Sequence, residues 1–306
     1  MSLPMRELED YFGSRLHLGV RFSNYTTSRV GGPIAGLLPV NTVKEFSEAA
    51  QKLWEMNVPF KVLGSGANLL VSDKGYDGIM LLNRCHNIKI WSQHELPTVF
   101  AESGANLGSM ARQTALRGLT GLEWANSIPG SVGGAVYGNA GAHGSDVSET
   151  LIHATLLLKD EGQKDFTPED MQYTYRSSFL KRALVPAVIL SAVFKANTST
   201  REKAWKRLTE LTKKRRSTQP TGASIGSTFK NPPGNYAGRL LDAVGMKGIR
   251  VGNAEISRLH ANFIVNDGTA CATDYYQLIR LAQKRVRDQF GIELELEVEL
   301  LGDFDD

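Results

Sequence analysis

Val43, Phe46, Ala49, Ala50 and Leu53 recur at three- and four-residue spacing, so the pattern predicts a helix over 42–57. An earlier helix is expected over 5–16. Short apolar runs bounded by Gly-, Asp- and Asn-rich turns predict strands at 60–63, 69–71, 78–82 and 98–101, and the last leads into a helix over 107–117. The stretch 118–148 is dense in glycine, lacks periodicity and reads as an extended loop region, which in a compact domain usually serves function. Two longer apolar runs predict strands over 151–158 and 187–195. A charged helix over 199–216 ends in Lys213-Lys214-Arg215-Arg216 before Gln219-Pro220 and marks a boundary. Beyond it the pattern gives a short helix (236–244), a strand (263–266), a long helix (273–290) stopped by Gly291, and a final strand (293–301). In that last strand Glu293, Glu295, Glu297 and Glu299 alternate with Leu294, Leu296, Val298 and Leu300, which puts the glutamates on one solvated face. The result is an α+β chain in two blocks, the second starting near residue 200.

Composition narrows the function classes. At 306 residues the chain is long enough for two or three domains, and 42% hydrophobic with 22% charged residues is ordinary for a folded protein. Thirty-five basic against 32 acidic residues leave a formal charge of +3, which gives no sign of a nucleic-acid binder. No apolar run reaches membrane-spanning length, and the N-terminus has acids where a signal peptide needs an apolar stretch, so no membrane insertion is expected. Cys85 and Cys271 form neither a CxxC pair nor a four-ligand zinc set; no metal is expected, and a reducing, cytoplasmic compartment suits them. Nothing implies an obligate protein partner.

Glycine, at 30 residues, is the informative excess. A glycine-rich turn after a strand lets backbone N–H groups approach a phosphate closely. Gly64-Ser65-Gly66-Ala67-Asn68 has that form, as do the run Ile128-Pro129-Gly130-Ser131-Val132-Gly133-Gly134-Ala135 and the turn Gly138-Asn139-Ala140-Gly141. None is a Walker loop or a GxGxxG dinucleotide fingerprint. The peptide SGANL occurs twice, at 65–69 and 103–107, and the two copies read as turns of similar local geometry. These features point to a nucleotide cofactor whose pyrophosphate rests on glycine-rich loops.

The segments GSGANLLVSDKGYDGIML (64–81), IPGSVGGAVYGNAGAHG (128–144), YRSSF (175–179), GSTFKNP (226–232) and LEVELLG (296–302) resemble, in order, the UDP-N-acetylenolpyruvoylglucosamine reductase family. SRLHANFIVN (257–266) and the short gap between YRSSF and GSTFKNP resemble its shorter subtype, which lacks an extra substrate-closing loop. The resemblance implies a two-subdomain FAD-binding region of the PCMH type (1–85 and 86–200) followed by an α+β substrate-binding domain (201–306), whose final strand brings Glu297 to the active site. It implies non-covalent FAD, NADPH as reductant, and UDP-N-acetylglucosamine enolpyruvate reduced to UDP-N-acetylmuramate for peptidoglycan.

By the same resemblance, Arg176 polarises the substrate carboxylate, Ser227 protonates the enol intermediate with Lys230 as a polarising neighbour, and Glu297 supports the enol form. FAD contacts fall on Gly64, Ser65, Gly66, Ala67, Asn68, Leu69, Ile128, Pro129, Gly130, Ser131, Gly133, Gly134, Asn139, Ala140 and Gly141. Asn231, Lys247 and His260 fall where the family meets the UDP portion. Ser127 stands where the family commonly has glycine, and a positive φ there would cost about 1 kcal/mol. Two other readings stay open: another FAD-dependent oxidase of the same superfamily, and a non-catalytic nucleic-acid or nucleotide binder using the helix 201–216.

Overall fold

The computed structural model describes residues 3–93, 95–183 and 185–304. The chain forms two compact units, each drawn from three chain segments. One comprises residues 1–16, 38–65 and 79–215; the other comprises 17–37, 66–78 and 216–306. The division thus passes between Ser65 and Gly66, inside the first glycine-rich turn, and falls within the charged helix, which runs Arg201–Thr218.

The larger unit is built on a five-stranded antiparallel sheet in the order Gly162–Phe166, Leu151–Leu158, Ala187–Lys195, Thr98–Glu102, Ile88–Trp91. Over the central strands Leu151–Leu158 and Ala187–Lys195 both faces are covered, which is why Leu156 and Leu157 can be adjacent in sequence and still both be core. Leu156 packs with Val99, Ala101, Ala154, Ala192, Phe194 and the helix Leu107–Leu116, whereas Leu157, Val188 and Leu190 pack with the helix Val43–Glu55. That second helix forms where periodicity places it. Thr42 caps it by accepting from the Glu45 N–H at 3.1 Å, and Phe46, Ala49, Ala50 and Leu53 are its buried stripe. Each large apolar side chain buried this way contributes roughly 1.5–3 kcal/mol.

The smaller unit holds a four-stranded antiparallel sheet, Ser224–Ser227, Phe263–Asn266, Ala254–Ile256 and Arg250–Val251 in order. The long helix Ala272–Phe290 supplies Tyr275, Leu278, Ile279, Ala282 and Val286 to its core and ends at Gly291 with φ +65°. Leu69–Val71 pairs in parallel with Glu299–Leu301 in the same unit.

Three expectations need correction. The region 118–148 is not an extended loop: it contains a 3₁₀ turn at Glu123–Ser127 and helices at Val132–Gly138 and Val147–Thr150. Glycine at 133, 134 and 138 hid that helix, which is held by tertiary contacts rather than by propensity. The final strand spans only Glu299–Leu301. Upstream, Leu296 makes a single bridge to Phe229, and the period-two alternation is not matched by a continuous ladder. The two SGANL turns also differ: Gly66 lies at φ +60°, whereas Gly104 is not in the left-handed region, and one turn enters a strand while the other enters a helix.

Among the described residues, no helix is long and apolar enough to cross a membrane. Cys85 is buried and Cys271 exposed, and both are free thiols.

Candidate active site

In the larger unit, the second SGANL turn acts as a seat for the 128–134 loop. Ala105 O accepts from Val132 N at 2.9 Å, Ser103 O from Gly133 N at 2.7 Å, and Gly130 O from Leu107 N at 3.0 Å. The N–H groups of Val132 and Gly133 are thereby engaged within the protein, and Ser131 Oγ caps the helix Val132–Gly138 at Gly134 N. Gly64 belongs to the same cluster, because a Cβ there would collide with Ser131 Oγ. Two of the sequence-predicted cofactor motifs therefore touch. The N–H groups of Gly130 and Ser131 in this unit donate to no group among the described residues. They are the kind of donors that a phosphate requires, so the loop fits the pyrophosphate part of FAD.

The C-terminal end of the same short helix is covered by residues 173–178. Tyr173 Oη donates to Val136 O at 2.9 Å and Ser178 Oγ to Tyr137 O at 2.7 Å. The Arg176 guanidinium donates to Gly141 O at 2.7 Å and to Asn139 O at 3.5 Å, and lies 5.0 Å from the Tyr175 ring centre. Carbonyls that a helix end leaves without intrahelical partners are satisfied here by the segment carrying the predicted catalytic arginine. Arg176 itself sits at φ +57° at the tip of a tight turn whose flanks, Thr174 and Ser177, exchange both backbone hydrogen bonds at 3.0 and 3.1 Å. Asn139, expected to meet the cofactor, is buried at φ +47°. Its side chain is taken up by Ser148 N, Asp146 Oδ2 and Thr174 O.

Ser127 needs no correction by glycine. It closes the 3₁₀ turn outside the left-handed region and approaches His143 Nε2 at 3.4 Å, so the expected strain is absent. Burial, with Lys214, Arg215 and Arg207 nearby, holds His143 below the ordinary imidazole value.

In the smaller unit three predicted motifs meet. Thr228 O accepts from Glu297 N at 2.9 Å, which sets the residue after Ser227 against Glu297. Asn68 Nδ2 donates to Glu297 O at 3.0 Å, and Glu299 N donates to Asn68 O at 3.1 Å. Gly226, at φ +75°, faces Ala67 O. The N–H groups of Gly66 and Ala67 also donate to no group among the described residues. Ser227 and Glu297 are both half-buried. The glutamates do not share one face: Glu293 and Glu295 are exposed and paired with Arg287 and Lys230, whereas Glu297 and Glu299 are partly covered. Lys230, expected beside Ser227, places its ammonium 3.1 Å from Glu295.

The three predicted substrate residues gather around the helix Ala237–Ala243. Asn231 Oδ1 accepts from Ala237 N at 3.0 Å, and Lys247 Nζ pairs with Asp242 at 2.6 Å. His260 lies against Gly238, where a Cβ would stand 2.9 Å from its Cε1. Burial, with the Lys247 ammonium nearby, holds His260 below 6.5.

Two residues outside the predicted set prove structural to this site. Thr27 donates from its N–H to Gly66 O at 3.1 Å and from Oγ1 to Ser224 O at 2.7 Å, joining the glycine turn to the strand of Ser227. Asp73 accepts from Ala272 N, Thr273 N and Thr273 Oγ1, each at 2.9 Å, so the long helix is capped from 199 residues upstream. The only sequence signals were a Thr-Thr pair before Gly31-Gly32 and a turn-type Asp before Lys74-Gly75.

Comparison with known proteins adds relatives to this geometry. The FAD binding domain family matches residues 33–164, and the family described as UDP-N-acetylenolpyruvoylglucosamine reductase, C-terminal domain, matches residues 218–301. A UDP-N-acetylenolpyruvoylglucosamine reductase of Chloroflexus aurantiacus is 40% identical over 282 residues, covering 91% of this chain and 95% of that one. The one from Bacillus subtilis is 36% identical over 303 residues, with 99% of each covered. Among solved structures, the reductase of that name from Thermus caldophilus superposes with a TM-score of 0.79 at 34% identity, covering 94% of this chain and all of that one.

Proposed function

The chain belongs to the UDP-N-acetylenolpyruvoylglucosamine reductase family, and from that premise we propose how its own residues divide the reaction. It is an FAD-containing oxidoreductase that uses NADPH to reduce UDP-N-acetylglucosamine enolpyruvate in peptidoglycan precursor synthesis. FAD, which the loops 64–69 and 128–141 would hold, would supply the hydride-transfer chemistry between NADPH and the vinyl carbon of the substrate.

The protein's task is then electrostatic and protonic, because hydride addition drives negative charge into the adjoining carboxylate and leaves the neighbouring carbon to be protonated. Arg176 holds the carboxylate, and its planar fork suits two oxygens. Ser227 delivers the proton, and Glu297 supports the enol form before it collapses. The support for the last two roles is the Thr228–Glu297 backbone bond, which sets the segments of Ser227 and Glu297 side by side in one unit. The loops 64–69 and 128–141 hold FAD through backbone donors, with Asn139 acting inside the loop. Asn231, Lys247 and His260 meet the UDP portion, where a lysine ammonium suits a diphosphate and a neutral imidazole suits a hydroxyl or base edge.

Residues 1–85 and 86–200 serve as the FAD subdomains and 201–306 as the substrate domain, with 17–37 and 66–78 packing into the compact unit of the latter. The reading extends to a cytoplasmic enzyme of the shorter subtype that works on a small-molecule substrate without nucleic acid, membrane insertion or an obligate partner. The test is spectroscopic: NADPH bleaches the visible flavin band, and the enolpyruvyl substrate restores it without oxygen in the native chain but slowly in Ser227→Ala and Glu297→Gln. Restoration at native speed in both variants would remove their assigned roles.

A further inference from the structure

Arg176 occupies a backbone conformation that a residue with a Cβ adopts reluctantly, at φ +57°. Such a conformation persists only where its surroundings over-determine it. The backbone pair Thr174–Ser177 closes the turn, and Asn139 Nδ2 holds Thr174 O at 3.2 Å from one side. From the other side comes one further side chain that belongs to none of the family motifs. Arg182, on the helix Phe179–Ala183, donates through Nη1 to Thr174 Oγ1 and Ser177 Oγ, both at 3.2 Å, and through Nη2 to Gln172 O at 2.6 Å. One rigid guanidinium thus reaches both flanks of the turn and the residue leading into it. Gln172 is itself held at φ +45°, so the approach to the turn and the turn share the same brace. Lysine could not do this, since a point ammonium lacks the planar fork.

We propose that Arg182 is a positioning residue for Arg176: it fixes the turn that aims the carboxylate-binding guanidinium while touching no substrate itself. The inference rests on the role given to Arg176 above. Its signature is selective. NADPH oxidation does not involve the enolpyruvyl carboxylate, so loosening the turn slows only the second half of the reaction.

The experiment is anaerobic rapid mixing of the flavin-loaded native chain with Arg182→Ala, Arg182→Lys and Thr174→Val, following the flavin band. Flavin bleaching by NADPH and flavin content per chain are expected to stay within twofold of native. Band recovery with the enolpyruvyl substrate is expected to slow at least tenfold in Arg182→Ala and by a smaller factor in Arg182→Lys. Thr174→Val keeps Arg182 and removes one acceptor, so it slows the same step even if the alanine variant fails to fold. Recovery at native speed in Arg182→Ala, or equal slowing of both half-reactions, overturns the proposal. A native chain whose flavin does not recover with the substrate overturns the reductase reading first, and this inference with it.

Discussion

Asn68 and Glu297 are bound to each other across 229 residues: the Asn68 amide donates to the Glu297 carbonyl at 3.0 Å, and the Glu299 N–H returns a bond to the Asn68 carbonyl. A glycine-turn residue assigned to the cofactor thus holds the backbone of a predicted catalytic residue two positions ahead of the strand Glu299–Leu301. Asn68→Ala removes the side-chain half of this pairing and is expected to cost about 1 kcal/mol of stability. It is also expected to lower kcat more than it raises KM for the enolpyruvyl substrate. Thermal melts and steady-state kinetics on one preparation check both.

Two glutamates two residues apart separate pattern from function. Glu295 is exposed and paired with Lys230, whereas Glu297 is partly covered beside the Ser227 strand. Glu297→Gln is expected to lower kcat by roughly 10²–10⁴. Glu295→Gln should remain within a factor of about two, since an exposed ion pair contributes little. Turnover of the two variants side by side decides it.

Gly66 has no room for a side chain. It lies at φ +60°, and a Cβ would strike the Tyr25 carbonyl. Gly66→Ala is expected to cost about 2–3 kcal/mol, the sum of left-handed strain and overpacking against backbone. Flavin content and the urea midpoint should both fall, and by more than in Gly64→Ala, where the φ is not left-handed and the obstacle is the Ser131 side chain rather than backbone.

Asp73 caps a helix it does not belong to. Burial raises its pKa, but hydrogen bonds from Ala272 N, Thr273 N and Thr273 Oγ1 outweigh that and hold the carboxyl below 3.8. A folded pKa below the unfolded one stabilises above the unfolded value, and the gain is lost as pH falls through the folded value. Asp73→Asn is expected to cost about 1 kcal/mol at neutral pH, as lost caps do. The gap between native and variant melting temperatures should close below pH 3.8.

The histidines act in a higher window. His143, near Lys214, Arg215 and Arg207, and His260, near Lys247, are both held below 6.5 by burial first and by these cations second. The unfolded chain binds their protons more readily, so stability falls as pH drops below 6.5. Melting temperature against pH should show this slope, and His260→Gln should flatten part of it.

The sequence carried most of the regular elements because their signals are local. The strands 60–63, 69–71, 151–158, 187–195 and 263–266 lie where the apolar runs put them. The helix Val132–Gly138 was illegible because its stability comes from Ser103, Ala105 and Ser131 rather than from its glycine-rich composition. Alternation over 293–301 predicted a strand that forms only at its end, since only Glu299–Leu301 finds a partner along its length. Motif resemblance singled out Glu297 where periodicity treated four glutamates alike. It did not cover Thr27 or Arg182, and it covered Asp73 without marking it as a cap, because the partners of all three are fixed by tertiary placement.

The parallel pairing of Leu69–Val71 with Glu299–Leu301 also sets a schedule for biosynthesis. Val71 leaves the ribosome 230 residues before Leu301, its partner in that register. At roughly 5–20 residues per second, the early strand waits on the order of ten to fifty seconds with an open edge. The nascent chain therefore exposes Leu70, which is fully buried in the finished protein, until translation has passed the glutamate-rich segment. Slowing translation over the last third of the message lengthens that exposure, and an engineered chain with the 299–301 segment deleted never ends it.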